Sequence, residues 1–408
     1  MWPFFMSFDH SSETKKKSVG ILGDGQLARM LAQSAAQKEV EVEVLSLDSD
    51  ASASQLFPYF NGSSNDRSSL IAFAQRHSVI LIENEFLEVS LLKDMVEKTQ
   101  VTLIPNRDAI ACAQDKGLQK KKWDELKIKT APYFFLDDQP ISLFLESLLK
   151  KHSFWVLKQT RMGYDGKGNF FLNRKTFFEA VAFCERAKTK SIPVFAEKGI
   201  DFSHEVSMVY VSSENEFFNF PLGLTYQEKG VCDSVLLPAI AFGMDPSLEE
   251  KAVEIGKKVS ESLKMTGVFA LEFFVDQGTL WVNEMAPRVH NTGHGTQLGF
   301  SYSQFDAHID VAAGNQLQKP EQYCSTFMKN LLGPDEVSGD WSSWTPPAPP
   351  QGVFLNLYGK KEVRPRRKMG HLVVLVEDEF SVVEERVLQY ETLFWNELRL
   401  FFKNKEKK

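Results

Sequence analysis

The first 115 residues alternate short apolar runs with amphipathic segments. Residues 18–23 (SVGILG) predict a strand, because the run is short, apolar and bounded by glycine, and residues 26–38 predict a helix, because their apolar positions recur at helical spacing. The same patterns predict strands at 41–48, 78–86 and 101–105 and a helix at 68–77. Strands that alternate with helices are typical of a parallel sheet covered on both faces. We therefore expect an α/β domain over residues 18–115.

A different pattern begins after residue 115. The sequence predicts three helices: a lysine-rich one at 115–127, one at 175–188 and a long amphipathic one near 248–264. It predicts strands at 155–160, 170–172 and 194–200, within 205–240 and after the loop 342–352. Because 408 residues exceed the size of one hydrophobic core, we expect several packed units, in an α/β and α+β arrangement. Their expected limits are a disordered tail at 1–17 and units at 18–115, 116–320 (with a lid at about 130–200) and 321–400.

Composition and charge exclude several classes of protein. Hydrophobic residues make up 43% and charged residues 25%, as in ordinary globular proteins. The net charge of -7 argues against a nucleic-acid partner, and no run approaches the roughly 18 apolar residues of a membrane span. The four cysteines lie far apart without a C-x-x-C spacing, which is typical of reduced thiols. We expect a cytoplasmic protein.

A glycine-rich turn follows the first predicted strand. Residues 23–28 read GDGQLA and fit the G-x-G-x-x-G/A fingerprint of dinucleotide sites, and Asp48 lies about where a ribose-binding acid would follow. Taken alone, this favours a nicotinamide dehydrogenase. Glycine amides at a helix N-terminus serve a mononucleotide phosphate equally well, and the turn could also be purely structural.

A second glycine-rich segment, 158–169, reads KQTRMGYDGKGN. Lys158 interrupts an apolar strand, where an ammonium is costly unless it meets an anion. Three glycines within six residues give a mobile backbone that can fold over phosphates. The segment therefore predicts a lid, although a flexible surface hairpin with a solvent-reaching lysine would have the same pattern.

An apolar hairpin at 267–285 carries two acidic residues. Its turn, DQG at 276–278, would bring Glu272 and Glu284 together, beside Asn283. Two buried carboxylates repel unless a cation lies between them, and oxygen ligands completed by phosphates are what Mg²⁺ prefers. The alternative is a pair of solvent-facing glutamates on a half-exposed sheet.

Two polar runs follow the hairpin. Residues 286–295 (APRVHNTGHG) offer donors for phosphate or carboxylate, since arginine grips such groups in a bidentate fashion and asparagine and threonine add directional bonds. Residues 358–371 form a basic cluster. Such a charge run is most often a solvated face, but its glycines and tyrosine also fit a phosphate contact.

Taken in order from about residue 18 to 375, these segments resemble the 5-(carboxyamino)imidazole ribonucleotide synthases, an ATP-grasp family. The matching segments are GDGQLARM, QDKGLQKKKWDELKIKTAPY, LKQTRMGYDGKGN, AEKGIDFSHEVS, GVFALEFFV, VNEMAPRVHNTGH, SQFDAHI, NLLG and YGKKEVRPRRKMGH. The APRVHNTGH and RKMGH runs separate this family from other ATP-grasp ligases and carboxylases. The resemblance implies a Rossmann-like pre-ATP-grasp domain, an ATP-grasp domain with a small lid subdomain, and a small β-rich C-terminal domain.

The resemblance also implies an activity. The family joins bicarbonate to the amine of 5-aminoimidazole ribonucleotide in de novo purine (IMP) biosynthesis, through carboxyphosphate formed with ATP. It implies ATP and Mg²⁺ as cofactors, small-molecule substrates as partners, and a homodimer.

Carried over residue by residue, the resemblance assigns four groups of site residues. Catalytic candidates are Tyr164, Lys167, Arg288 and His290. Candidates for binding ATP are Lys116, Lys158, Gly163, Tyr164, Asp165, Gly166, Lys167, Gly168, Asn169, Glu197, Lys198, Gly199, Ile200, Glu205, Gln227, Asn283 and Glu284. Candidates for the ribonucleotide and bicarbonate are Gly25, Gln26, Leu27, Glu83, Glu85, Asn291, Thr292, Lys360, Arg367 and Lys368. Glu272 and Glu284 are the expected metal ligands.

The chain departs from the family pattern at a few positions. Asp24 and Ala28 stand where glycine is usual, Lys116 replaces an arginine, Gln227 a histidine, Thr292 a serine, and Gly295 a bulky residue. These changes bear on substrate affinity more than on activity, because the expected metal ligands and the phosphate lysine are intact. Three other hypotheses stay open: another ATP-grasp ligase or carboxylase, an NAD-dependent oxidoreductase, and an ATP-binding regulator without turnover.

Overall fold

The first part of the chain forms a parallel sheet, as its pattern predicts. The computed structural model describes residues 18–161 and 168–405, so the expected tail at 1–17 and most of the predicted lid loop lie outside the described residues. The sheet has the order β3-β2-β1-β4-β5, with strands β1 (Val19–Leu22), β2 (Val42–Ser46), β3 (Tyr59–Asn61), β4 (Val79–Ile82) and β5 (Thr102–Ile104). Its helices are α1 (Gln26–Gln37), α2 (Arg67–Ala74), α3 (Val89–Thr99) and α4 (Arg107–Gln114).

Burial explains where these strands begin and end. Every residue of β1 and β4 is buried, as expected for central strands of a sheet covered on both faces. The strand predicted at 78–86 is too long: β4 ends at Ile82, because the polar sequence Glu83-Asn84-Glu85 leaves the sheet at its carboxyl edge. The sequence interpretation also missed β3 and α3.

A smaller unit follows, within the range predicted for the lid. After helix α5 (Lys116–Glu125), four antiparallel strands pair in the order β6-β9-β7-β8. They are β6 (Tyr133–Phe135), β7 (Trp155–Gln159), β8 (Asn169–Leu172) and β9 (Val194–Lys198), covered by α6 (Ile141–Lys151) and α7 (Phe177–Thr189). The sheet and helices enclose their own apolar cluster, centred on residues such as Trp155, Leu157 and Phe183.

The largest sheet spans the middle and the C-terminal part of the chain. Its order is β15-β14-β10-β12-β13-β16-β20-β18, with β11 beside β10. The strands are β10 (His204–Ser212), β11 (Phe217–Asn219), β12 (Gly223–Glu228), β13 (Val231–Leu237), β14 (Gly267–Asp276), β15 (Thr279–Ala286), β16 (Thr326–Leu332), β18 (Val353–Leu357) and β20 (Lys368–Leu375); β17 (Gly339–Asp340) and β19 (Glu362–Val363) form a separate ribbon. The predicted C-terminal strands therefore extend the sheet that carries the acidic hairpin.

Helices and short turns complete this part of the molecule. They are α8 (Pro246–Leu263), α9 (Thr296–Gly299), α10 (Gln304–Ala313) and α11 (Phe380–Lys405), with 3-10 turns at Ala239–Phe242 and Asn291–Gly293. The sequence interpretation did not foresee α11, which packs Trp395 and Leu398 into the same apolar cluster as the central sheet. In the described part of the chain, no helix is both long and apolar enough to cross a membrane.

Polar contacts join the first domain to the rest. On α1, Ser34 donates to Asp306 at 2.5 Å and Lys38 pairs with Asp310 at 2.7 Å, both on α10. On the C-terminal side, Ser52 donates to the carbonyl of Tyr358. These contacts join the end of α1 to α10 and the segment after β2 to the C-terminal part of the chain.

One close contact inside the central unit makes a stability test. Gly256 of α8 lies on the fully buried ring of Tyr210, whose hydroxyl donates to the Ala252 carbonyl at 2.7 Å. A Cβ at Gly256 would lie 2.0 Å from that ring. We expect Gly256→Ala to lower the free energy of unfolding, because overpacking costs about 1–3 kcal/mol and outweighs a helix-propensity gain of about 1 kcal/mol.

Urea unfolding followed by circular dichroism measures this change. The control is Lys257→Ala, at an exposed position of the same helix, where we expect a change within about 0.5 kcal/mol. A Gly256→Ala protein as stable as the wild type would contradict the packing described for Tyr210.

Candidate active site

One cavity of about 600 Å³ lies between the lid unit, the acidic hairpin and the first domain. This volume is typical of sites for small-molecule ligands. Residues from both the predicted site and its surroundings line it: Gln26, Leu27, Glu85, Phe86, Lys116, Ala131, Phe154, Val156, Lys158, Asn169, Phe171, Glu197, Lys198, Gly199, Ile200, Phe202, Glu205, Gln227, Gly230, Cys232, Glu272, Phe274, Asn283, Glu284, Met285, Ala286, Arg288, His290, Asn291, Thr292, His294 and Lys368.

The acidic hairpin forms as its sequence predicts. Glu272 of β14 and Glu284 of β15 are direct cross-strand partners, and a register shift next to them leaves Asn283 as the extra residue of a β-bulge. Bulges of this kind redirect side chains, here toward the cavity. The two acids are 27% and 36% exposed, so they face the cavity and not open solvent.

Basic groups of the same cavity neutralise both acids. Nε2 of His290 lies 3.2 Å from Oε1 of Glu272, and the ammonium of Lys116 pairs with Glu284. Burial alone would raise the pKa of Glu272, but His290, Lys116 and Lys368 hold it below its ordinary value. Burial, together with the neighbouring Lys158, lowers the pKa of Lys116 to about 8. Glu272 is thus kept ionised, and each of the two acids has a basic partner in the cavity.

The lysine predicted to bind phosphate is buried and lies among charged partners. The ammonium of Lys158 pairs with one carboxylate oxygen of Glu197 and donates to Oδ1 of Asn283 at 3.2 Å. The other oxygen of Glu197 pairs with Lys120 of α5. Burial would raise the pKa of Glu197, but Lys158 and Lys120 outweigh it and lower that pKa. Since its carboxylate is held by two lysines, the side chain of Glu197 is not available to a nucleotide base.

Glu205 of β10 is an acid of the cavity lining with a raised pKa. Burial, with the neighbouring charge of Glu272, raises this pKa to about 7, and Lys158 opposes the shift. Near neutral pH this carboxyl group can therefore either accept or donate a hydrogen bond.

The glycine-rich turn at 23–28 binds a side chain of the protein itself, the buried Glu83. The amide of Gly25 donates to Oε2 of Glu83 at 3.1 Å and the amide of Leu27 donates to Oε1 at 3.3 Å. A Cβ at Gly23 or Gly25 would lie within 2.6 Å of this carboxylate, which explains both glycines. Because Glu83 takes the place of a phosphate at the N-terminus of α1, the structure does not support the dinucleotide interpretation.

Further polar contacts order the run after the hairpin. Arg288 forms a bidentate ion pair with Glu85, with Nε 2.7 Å from Oε2 and Nη2 3.2 Å from Oε1. Thr292 lies 2.9 Å from Nδ1 of His290 and 3.2 Å from the Ser207 hydroxyl. Arg288 and His290, which the sequence proposes as catalytic, are thus held at the cavity wall.

Most of the predicted site residues come together in this cavity. The exceptions among the described residues are Gly25, Glu83, Gly168, Lys360 and Arg367, which do not line it. Lys360 donates to the Lys368 carbonyl at 2.6 Å and Arg367 to the Glu362 carbonyl at 2.9 Å, which fits the structural alternative for this basic cluster. Gly163, Tyr164, Asp165, Gly166 and Lys167 lie outside the described residues.

Sequence reasoning missed an aromatic wall. Phe154 and Phe171 of the lid unit stack at 5.9 Å, and Phe202 stacks on Phe274 at 4.6 Å. All four line the cavity. Apolar residues in strands indicate burial, but only the pairing of strands shows which of them border a cavity. Lys120 was missed too, because its helix is lysine-rich throughout and the text does not distinguish a buried lysine from an exposed one.

Two departures from the family pattern have a local explanation. A Cβ at Gly295 would lie 2.2 Å from Oγ1 of Thr326, so a bulky residue cannot stand there in this chain. At position 116 the family usually has arginine; in this chain the ammonium of Lys116 pairs with the carboxylate of Glu284.

The donor set fits Mg²⁺ in part. Within residues 18–161 and 168–405, no group of three or more His, Cys, Asp or Glu side chains is arranged to hold a metal alone. Mg²⁺, however, is commonly bound through one or two carboxylates plus substrate phosphates, and the neighbouring pair Glu272 and Glu284 with Asn283 offers that set.

Comparison with known proteins identifies the class. The chain matches the models of the ribonucleotide synthetase preATP-grasp domain (residues 16–114), the ATP-grasp domain (121–305) and the phosphoribosylaminoimidazole carboxylase C-terminal domain (326–385). This succession defines an ATP-grasp enzyme and confirms the predicted fold class. The exact limits of the three units stay predictions.

Curated relatives narrow the class to a family. The chain is 32% identical to the N5-carboxyaminoimidazole ribonucleotide synthase of Brucella melitensis over 369 residues, which cover 89% of this chain and 98% of that protein. It is 31% identical to the phosphoribosylaminoimidazole carboxylase of Ogataea methanolica over 88% of its own length and spans about two thirds (66%) of that longer protein.

Solved structures agree with the sequence relatives. The carboxyaminoimidazole ribonucleotide synthase of Aspergillus clavatus complexed with ATP superposes with a TM-score of 0.82 at 28% identity, over 93% of this chain and 98% of that one. The Staphylococcus aureus N5-carboxyaminoimidazole synthetase complexed with ADP gives 0.79 at 28% identity, over 92% and 97%. The chain belongs to the N5-carboxyaminoimidazole ribonucleotide synthase family of ATP-grasp ligases, which confirms the family resemblance found in its sequence.

The hydrogen bonds between Glu83 and the first amides of α1 lead to a test of which nucleotide the protein binds. We expect ATP to raise the melting temperature of the protein and NAD to leave it unchanged, since the amides at the start of α1 are bound to Glu83. At about 100 times its dissociation constant, a ligand stabilises the folded state by roughly 2.7 kcal/mol. Differential scanning fluorimetry with each nucleotide at equal concentration measures this, and an equal shift with NAD would revive the oxidoreductase hypothesis.

Proposed function

We propose that this chain uses ATP to carboxylate 5-aminoimidazole ribonucleotide with bicarbonate, giving 5-(carboxyamino)imidazole ribonucleotide, ADP and phosphate in de novo purine biosynthesis. One observation carries the proposal: the acid pair Glu272 and Glu284 and the buried lysine Lys158 face one cavity. A lysine that meets the phosphates and carboxylates that hold Mg²⁺ recur in enzymes that transfer phosphoryl groups from ATP. The choice of substrates follows from the family to which the chain belongs.

The nucleotide end of the cavity is the lid side. The aromatic pairs Phe154 with Phe171 and Phe202 with Phe274 offer an apolar slot for a flat purine, and the backbone of 198–200 offers polar groups beside it. Lys158, at the inner end, would lie against the phosphates. Glu205, between these groups, would accept hydrogen bonds from the ribose hydroxyls.

The metal would be held by Glu272 and Glu284, with the phosphates completing its coordination. Mg²⁺, when bound, would neutralise charge on the transferring phosphoryl group. Lys116 and His290, which lie on these acids in the described structure, would then be free to turn to the phosphates or to bicarbonate.

The acceptor end lies on the first-domain side. Arg288, His290, Asn291 and Lys368 line the cavity there and can hold an anionic ribonucleotide and bicarbonate. In the first step a bicarbonate oxygen forms a bond to the γ-phosphorus and ADP leaves. In the second, the amine of the ribonucleotide forms the C–N bond, phosphate leaves, and the amine loses a proton.

The compartment and the oligomeric state of the enzyme are further parts of the proposal. We propose a cytoplasmic homodimer that acts on small molecules. The four cysteines are free thiols, three of them buried, which suits a reducing compartment.

The activity is tested by ADP release from purified protein with ATP, bicarbonate and Mg²⁺. We expect release that depends on 5-aminoimidazole ribonucleotide, because phosphoryl transfer is productive only when the amine can capture the activated carboxyl group. No release with or without the ribonucleotide, despite ATP binding, would favour the regulator. Release that requires another amine would favour a different ATP-grasp ligase.

The metal assignment is tested by Glu284→Gln. We expect loss of ATP turnover by about 100-fold or more with the fold retained in circular dichroism, since an amide removes a negative ligand from the metal and a developing-charge interaction is worth several kcal/mol. The matched control is Glu228→Gln, at an exposed position of β12, which should keep wild-type turnover. Normal turnover by Glu284→Gln would overturn the assignment.

A further inference from the structure

Lys120 is a charged side chain in a place where charge is costly. Only 2% of its side chain is exposed, and it does not line the cavity. Its ammonium contacts Glu197 of β9 and the hydroxyl of Thr130. A buried lysine is retained only where it is paired, so the partner tells what the residue does.

The partner is the same carboxylate that meets the phosphate lysine. Glu197 lies between Lys120 and Lys158, and its side chain is 3% exposed. If Glu197 faced Lys158 alone, the two charges would cancel and little positive potential would remain for a phosphate. With Lys120 on the other oxygen, the group of three keeps one net positive charge. Lys158 and Glu197 line the cavity beside Asn283, whereas Lys120 does not.

Lys120 also ties together the elements that carry the site. It lies on α5, while Glu197 lies on the lid strand β9. Its second partner, Thr130, donates to the carbonyl of Val282 on the hairpin strand β15 at 2.8 Å. The lysine therefore sits where the lid unit meets the metal-bearing hairpin.

We propose that Lys120 is a positioning residue that balances the charge of Glu197, so that Lys158 keeps its positive charge and its place for the nucleotide phosphates. This rests on the proposed ATP site at Lys158. The lowered pKa of Glu197, which its two lysines cause against the effect of burial, agrees with a carboxylate that stays ionised in the group.

If Lys120 acts by balancing the charge of Glu197, its removal should change KM for ATP in a way that a purely structural role of Lys120 would not. Lys120→Met leaves Glu197 and Lys158 to cancel each other, so KM for ATP should rise at least about tenfold while KM for the ribonucleotide changes little. The double variant Lys120→Met with Glu197→Gln removes one charge of each sign and restores the net charge. Its KM for ATP should return to within about threefold of the wild type.

Two further variants complete the experiment. Lys121→Met, at an exposed position of the same helix, is the matched control and should behave as the wild type. Glu197→Gln alone leaves two lysines without their carboxylate, so it should lower the melting temperature. Circular dichroism and melting temperatures are measured for every variant, and kinetics are measured well below the lowest melting temperature.

The outcomes separate the two proposals. If Lys120→Met raises KM for ATP no more than Lys121→Met, or if a folded double variant is as impaired as Lys120→Met, the role of Lys120 is overturned. If Lys120→Met does not fold, the double variant decides, because it removes the Glu197 charge together with that of Lys120 and so keeps the net charge of the group. If the proposed ATP site at Lys158 is wrong, different measurements show it: Lys158→Met would leave ATP turnover unchanged, or the wild type would release no ADP.

Discussion

The site depends on pairing opposite charges among the side chains that line and border one cavity. Acids and bases of the cavity wall lie against one another: Glu272 against His290, Glu284 against Lys116, Glu197 against two lysines, and Glu85 against Arg288. Desolvation of a single charge is costly, and removal of one partner leaves the other uncompensated. This constraint explains why the site is built from neighbouring strands and a helix, which can fix each pair in register.

The hairpin of β14 and β15 is the element on which these pairs converge. Its register sets Glu272 opposite Glu284, its bulge adds Asn283, and the run after it supplies Arg288 and His290. The first domain contributes Glu85 at the carboxyl edge of its parallel sheet, where ligands of such sheets usually bind. The bidentate pair of Glu85 with Arg288 joins that edge to the run after the hairpin.

The ion pairs also suggest how the cavity changes when it is filled. A bound cation would take the place of the basic side chains that now pair with the acids, and a bound anion would pair with those basic side chains. The cost of separating Lys116 from Glu284 is then offset by new contacts of each with the ligand. The internal carboxylate of Glu83 is different, because it is buried on backbone amides and is part of the folded scaffold.

Much of the architecture could be inferred from the pattern of residues. The alternating strands and helices of the first domain, the acidic hairpin and its turn, and the order of the family segments are local properties of the text. The period of the apolar positions along the chain distinguishes strands from helices, and a short turn sets which residues of a hairpin face each other. The pairing of Glu272 with Glu284 was predictable for that reason.

Other features were decided by contacts between residues far apart in sequence. The glycine-rich turn at 23–28 has a dinucleotide pattern, yet its amides bind Glu83, which arrives from another strand. Likewise, a lysine-rich helix does not reveal that Lys120 alone among its neighbours meets the carboxylate of Glu197. The sequence by itself determined many of the elements, the family and the types of chemical group. The tertiary structure decided which charges meet, because burial and long-range pairing depend on how the units pack.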